Sequence, residues 1–281
     1  MRGNSITIKG VGFGDPNPVR IMGVINLSPE SFYKGSVPAE GDLVDYTQKL
    51  LQTEPDLIDI GGASTAPKEV YGTSSVAIEK EISRVRNALE SIIDIVDKPI
   101  SIDTTSSKVA EIALDLGVDI INDVSGLQAD EKMATLVADR DVPLIIMSNC
   151  TNPCDSVESS LNALRKSMKL AEEAEIANER IILDPGIGFG KPPTVDFAIL
   201  RELKQFKLLG RPLLVGVSRK AFIGSCVGES NPENRLSGTI AATSIAVLNG
   251  ADIIRAHDVE EAKIAARIGE TVRFHSDKVI Q

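Results

Sequence analysis

Short runs of aliphatic and β-branched residues alternate with longer stretches of helical periodicity along the whole chain. The runs at 21–25, 57–60, 99–103, 119–122, 143–147, 181–184, 212–217 and 252–256 end in a polar residue or glycine. That is the pattern of strands buried on both faces. Between them, residues 43–52, 77–96, 107–116, 131–138, 157–177, 195–204, 235–249 and 259–268 carry the spacing of amphipathic helices. Ser106 and Asp130 stand where N-caps are needed. Gly117 and Gly250 stand just past helical runs, where a left-handed cap is needed. About eight strand–helix units in 281 residues predict an α/β protein, a single (β/α)8 TIM barrel over 1–281. A doubly wound sheet opens with a Gly-rich turn after its first strand; here that place holds Asn26-Leu27-Ser28-Pro29. Residues 1–20, and within them about 5–19, read as a hairpin that closes the bottom of the barrel.

Composition narrows the class. Thirty Lys and Arg against 40 Asp and Glu leave a net charge of −10 and a pI near 4.9. Such a surface excludes a polyanion-binding protein, so no nucleic-acid partner is expected. No apolar run is long enough to span a membrane, and the first residues lack the apolar stretch of a signal peptide. Three cysteines without a disulfide-like framework suit a reducing cytosol, which predicts a cytoplasmic protein.

Active sites of such barrels lie at the C-terminal ends of the strands. Those ends hold Asn26, Gly61-Gly62 with Ser64-Thr65, Asp103, Asn122, Met147 with Asn149, Asp184, Ser218-Arg219-Lys220, and Arg255 with His257. Asp103 and Asp184 can each accept paired hydrogen bonds from the amino-imine edge of a flat heterocycle, or can serve as helix caps or ion-pair partners of Lys220 or Arg255. Asn122 adds a donor and an acceptor for the same kind of ring. Lys220, Arg255, His257 and Asn26 on one rim suit a phosphoryl group. Other signals are weaker. Gly186-Ile187-Gly188-Phe189-Gly190 has the wrong spacing for a nucleotide loop and reads as a tight turn near the ligand. Cys150 and Cys154 lack a second ligand pair for zinc. His275 reads as a surface residue, and 79–86 as a solvated helix face.

Read in order, these strand-end segments resemble the dihydropteroate synthase family over about 21–268. Ile21-Met22-Gly23-Val24-Ile25-Asn26-Leu27-Ser28-Pro29-Glu30-Ser31-Phe32 is similar to the family's first signature, and Asp59-Ile60-Gly61-Gly62 with Ser64-Thr65 to its second. Ser101-Ile102-Asp103-Thr104, Ile121-Asn122-Asp123, 183–191, Ser218-Arg219-Lys220 and Arg255-Ala256-His257-Asp258 follow in family order. The resemblance implies a transferase that joins hydroxymethyl-dihydropterin pyrophosphate to p-aminobenzoate or a related arylamine. It implies Asp103, Asn122, Asp184 and Lys220 around the pterin ring, with Met147 lining that pocket. Asn26, Arg255 and His257 would hold the pyrophosphate, Asn26 beside a Mg2+. Thr65, Phe189 and Ser218 would flank the aminobenzoate. By the same resemblance Asn26, Lys220, Arg255 and His257 are the catalytic group, and the protein is a homodimer. The helix at 235–249 is rich in small residues, which suits either a dimer contact or packing on the barrel.

The chain departs from the family pattern at three places. Ala66 stands where an Arg is usual, Lys34 where an acid is usual, and Ser148 where a His is usual. Lys34 or Lys68 is expected to replace the missing cation, although lysine lacks a planar fork. Two alternatives accompany the synthase reading: a pterin-dependent methyltransferase serving a corrinoid protein, and a pterin-binding paralogue without turnover. Ser218-Arg219-Lys220 and Arg255-Ala256-His257-Asp258 favour the synthase, because methyl transfer has no pyrophosphate to hold.

Overall fold

The computed structural model describes residues 5–31, 33–39, 41–65, 67–72, 76–150 and 153–274, apart from the side chains of Lys68 and Glu69. Phe32, Ala66 and His275 lie outside them. An antiparallel hairpin, β1 (Ile6–Ile8) and β2 (Val11–Phe13), precedes eight parallel strands. These are β3 (Arg20–Asn26), β4 (Leu57–Gly61), β5 (Ile100–Asp103), β6 (Ile120–Asp123), β7 (Leu144–Met147), β8 (Ile181–Asp184), β9 (Leu214–Val215) and β10 (Ile253–Ala256). Their order is β8-β7-β6-β5-β4-β3-β10-β9. A parallel bridge from Leu183 to Leu213 joins the two ends, so the sheet closes into the expected barrel. The helices that follow the strands are α1 (Leu43–Gln52), α2 (Lys68–Tyr71), α3 (Ile78–Ile92), α4 (Ser107–Asp115), α5 (Glu131–Arg140) and α6 (Val157–Glu173). The rest are α7 (Pro193–Arg201), α8 (Leu203–Lys207), α9 (Ala221–Val227), α10 (Leu236–Leu248) and α11 (Val259–Phe274).

The period-2 alternation of the strands builds two cores and one site. Outward residues such as Ile58, Ile60, Ile102, Ile121, Ile146, Leu183 and Ile254 pack against the helices. Inward residues at the lower level (Met22, Leu57, Ile120, Ile145, Ile182, Leu214 and Ile253) form a separate apolar cluster with Ile6, Ile8 and Phe13. The hairpin is therefore a plug in the barrel bottom. Two positions further along, the inward residues are Val24, Asp59, Asn122, Met147, Asp184, Gly216 and Arg255. One step up the barrel, the inward face changes from apolar to mostly polar.

Several local expectations need correction. Ser106 occupies the N-cap of α4, yet its side chain makes no cap bond. Asp130 takes that role: Oδ2 accepts from Ser107 N at 2.8 Å and Oδ1 from Lys132 N at 3.0 Å, so one carboxylate serves the starts of α4 and α5. Gly117 and Gly250 do adopt positive φ, 99° and 118°. The helix expected to 177 stops at Glu173, with Glu175 left-handed at φ 62° and Ile176 N bonded to Ala171 O. The helix expected over 195–204 breaks at Glu202 into α7 and α8. The cysteine expectation fails as well: Cys150 and Cys154 form a disulfide after β7, with Cα atoms 5.5 Å apart, while Cys226 is free. Their four-residue separation on a loop lets the two side chains meet, which a count of cysteines does not reveal.

Phe13 is fully buried where the plug meets the barrel floor. Phe13→Ala is expected to cost about 3–5 kcal/mol, read as a lower urea midpoint with an unchanged slope.

Candidate active site

The C-terminal ends of the strands surround a cavity of about 650 Å³, counted out to its open mouth. Asn26, Thr65, Asp103, Asn122, Asp184, Phe189, Lys220, Arg255 and His257 all line it. These nine residues come from seven strand ends or the loops that follow them, and only barrel closure brings them together.

Beneath the cavity floor lies Asp59, fully buried in mid-strand β4. Its Oδ2 pairs with Arg255 Nε at 2.7 Å, and its two oxygens lie 3.3 and 3.4 Å from Asn122 Nδ2. Arg255 Nη2 also reaches Asp103 Oδ2 at 3.2 Å, and the Thr65 hydroxyl donates to Asp103 at 3.3 Å. Asp59 thus orients two floor residues directly and a third through Arg255. It was missed as a site residue because it does not stand at a strand end. The signal was present: a carboxylate inside Leu57-Ile58-Asp59-Ile60-Gly61 can be buried there only if it is paired. Burial, then the charge of Asp59, pushes the Asp103 carboxyl up to about 7 against the pull of Arg255.

Asp184 is held differently. Its Oδ1 accepts from Gly186 N at 2.7 Å, while buried Lys191 donates to Gly186 O at 2.6 Å. Gly186 and Gly188 take positive φ, 69° and 79°. A Cβ on Gly188 would lie 2.6 Å from Lys220 Cδ, so the turn runs close against that side chain. Lys220 donates to Ile187 O and sits 4.6 Å above the Phe189 ring. Burial lowers the Lys220 ammonium to about 8, with Asp184 opposing the fall.

Two expected lining residues are displaced. Met147 is buried, not on the cavity wall, because the Gly186 turn covers it: a Cβ at Gly186 would lie 3.1 Å from Met147 Cγ. Ser218 lies behind His257, its Oγ 2.9 Å from Nδ1 and accepting the His257 backbone N–H at 3.2 Å. Burial, then Arg255, Arg219 and Lys220, hold His257 down at about 3, so its ring is neutral. Arg219 adopts a left-handed backbone, φ 54°, and spends its side chain on Asp258 and on the carbonyls of Pro232 and Glu233. It shapes the turn between Ser218 and Lys220.

The loop after β3 corrects two further expectations. Residues 79–86 are not simply a solvated face. Glu81 is buried and accepts from Thr104 Oγ1 at 2.7 Å; Arg84 grips Glu30 at 3.3 Å and Gly62 O at 3.2 Å. Hydrogen bonds from Ser28 and Arg84 hold Glu30 down at about 2. Lys34 does not replace the missing guanidinium. It donates to Pro29 O and borders a separate surface groove with Asp42, Asp45 and Lys49. Tyr33 stands nearer the site, with its ring 4.8 Å from that of His257. Ser31, Pro67, Tyr71 and Val124 add to the lining and are not selected by the strand-end rule alone.

This is a barrel-mouth site shaped for a flat heterocycle on its floor, with anion-compatible donors at one side. The profile of the pterin binding enzymes matches residues 22–257. The dihydropteroate synthase of Clostridium beijerinckii is 38% identical over 256 residues, covering 90% of this chain and 93% of that protein. The Xanthomonas albilineans dihydropteroate synthase solved with 4-aminobenzoic acid superposes with TM-score 0.86 at 32% identity, over 97% of this chain and 99% of that one. The Coxiella burnetii dihydropteroate synthase solved with pteroic acid gives TM-score 0.84, also at 32% identity and over the same shares. The chain belongs to the pterin binding enzymes and, within them, to the dihydropteroate synthases, which are transferases.

Asp103 yields a pH prediction. Its ordinary value of 3.8 rises to about 7 on folding. Between these values the folded state holds a proton that the unfolded chain releases, so this group lowers stability as pH rises through the window. Asp103→Asn removes that slope. The variant's stability relative to wild type is expected to climb from pH 4 to pH 7 and level off above, as measured by urea unfolding across that range.

Proposed function

We propose that the chain condenses 6-hydroxymethyl-7,8-dihydropterin pyrophosphate with p-aminobenzoate, releasing pyrophosphate, in folate biosynthesis in the cytoplasm. The observation that carries this reading is the convergence of Asp103, Asn122, Asp184 and Lys220 on one cavity floor. A pterin presents adjacent N–H donors along its pyrimidine edge, which a carboxylate accepts as a pair, and a carbonyl and ring nitrogens that amide and ammonium groups satisfy. Asp184, positioned by Gly186, takes the donor edge; Asn122, oriented by Asp59, and Lys220 take the rest.

The arylamine nitrogen attacks the pterin methylene, the C–O bond to pyrophosphate breaks, and its electron pair leaves with the pyrophosphate. The new amine then loses a proton. Rate enhancement comes from holding ring, methylene and amine in line and from stabilising the leaving anion in a water-poor site. The neutral His257 imidazole lines the cavity as a hydrogen-bonding group, and Arg255 brings a guanidinium already oriented by Asp59. Phe189 supplies an apolar surface for the arylamine beside Thr65. No protein nucleophile is required.

A Mg2+ at Asn26 belongs to the same proposal. Among the described residues no group of three or more His, Cys, Asp or Glu could cage a metal. The donor set instead suits an ion that keeps waters and takes phosphate oxygens. Asn26 lines the cavity, and its Nδ2 donates to Ser36 Oγ at 2.6 Å, which leaves the amide oxygen on the side of Gly61. When bound there, Mg2+ would supply charge neutralisation for the pyrophosphate.

A homodimer is proposed on the outer face of α10 and α11. Those helices pack closely at Gly269, where a Cβ would lie 2.8 Å from Ser244 O, so part of the small-residue surface is used within the chain. They leave Ile245, Leu248, Ile264, Ile268 and Val272 exposed. No helix among the described residues is long and apolar enough to cross a membrane.

Mixing the protein with both substrates and Mg2+ is expected to release pyrophosphate, and Asp184→Ala to lower kcat/KM for the pterin substrate by about a hundredfold or more with an unchanged circular dichroism spectrum. Absence of pyrophosphate release from the wild type would overturn the reading. The double variant Ile264→Glu, Ile268→Glu is expected to sediment as a monomer under conditions where the wild type sediments as a dimer.

A further inference from the structure

Tyr71 ends α2, the short helix within the loop after β4, and lines the cavity together with Pro67 of that loop and Phe189 of the loop after β8. Its hydroxyl accepts the backbone N–H of Ala221 at 3.2 Å. Ala221 opens α9 and directly follows Lys220, so this bond ties the β4 loop across the cavity to the segment that carries the floor lysine. Burial pushes the phenol above its ordinary range, so it remains neutral at physiological pH.

The strand tips make the floor polar, whereas Pro67, Tyr71 and Phe189 give the loop-built part of the cavity an apolar surface. A flat aromatic acceptor buries its ring best against such surfaces. On this side of the site, Pro67, Tyr71 and Phe189 offer ring contact to the acceptor.

We propose that Tyr71 is a specificity-determining residue for the arylamine: its ring forms a wall of the cavity against the acceptor ring, and its hydroxyl, docked on Ala221, fixes that ring in position. This rests on the synthase reading above. The hydroxyl and the ring have separable roles. Tyr71→Phe keeps the wall and loses the dock; Tyr71→Ala loses both.

Steady-state kinetics with each substrate varied in turn tests the proposal. Tyr71→Ala is expected to raise KM for p-aminobenzoate about tenfold, with KM for the pterin pyrophosphate within about twofold of wild type. Tyr71→Phe is expected to give an intermediate rise of about threefold, again confined to the acceptor. An unchanged acceptor KM in Tyr71→Ala, or an equal rise in both KM values, would overturn the proposal, the latter marking a merely structural role. If the wild type itself released no pyrophosphate with p-aminobenzoate, the synthase reading would fall and this proposal with it. Normal wild-type turnover with an unaffected Tyr71→Ala removes the Tyr71 proposal alone.

Discussion

The site depends on one buried ion pair. Asp59 lies fully inside the barrel with Arg255 Nε at 2.7 Å and Asn122 close above it. A carboxylate at that depth is tolerated only because a guanidinium and an amide satisfy it together. The same contacts leave Arg255 and Asn122 little freedom, so the cavity floor is assembled before any ligand arrives. Preorganised donors are the ones that contribute most to stabilising developing charge. The cost is that three carboxylates share a small volume with two cations, and Asp103 responds by holding a proton near neutral pH.

The rest of the barrel can be understood as support for that floor. Below it, the inward side chains are apolar and are sealed by Phe13 and its hairpin, which keeps water from the ion pair. Beside it, the glycine turn after β8 approaches Lys220 so closely that a Cβ on Gly188 would displace that side chain, and Lys191 and Asp196 anchor the turn at Gly186 and Gly188. Charged residues on α3 that look solvated in the sequence instead brace the loops above: Glu81 through Thr104, and Arg84 through Glu30 and Gly62. The active face is therefore a network of buried, mutually satisfied polar groups on an apolar base.

The chain's departures from its family's pattern fall in the loops, not on the floor. Asp103, Asn122, Asp184, Lys220, Arg255 and His257 all meet at one cavity, whereas the expected cationic substitute, Lys34, is turned onto its own loop. Asp103, Asn122, Asp184 and Arg255 stand on short strands whose hydrogen-bonded register leaves few alternatives. Loop residues are held by side-chain bonds that can be exchanged, which is why the loops are where this chain has room to differ.

Much was legible in one dimension. The eight apolar runs, each closed by a polar residue or glycine, carried the barrel and pointed to eight of the nine candidate residues that line the cavity, Phe189 being the ninth, since strand spacing and the period of 2 are local properties of the chain. Met147 and Ser218 were legible as strand-end residues but not as buried ones, because what covers them, the Gly186 turn and the His257 ring, comes from other units. Asp59, Arg84 and Tyr71 were not selected, since their importance lies wholly in partners 22 to 196 residues distant in sequence. The sequence by itself determined which positions face inward and where polar groups leave the strands. Only the tertiary structure decided which of those groups meet, because barrel closure, not local periodicity, sets the distances between them.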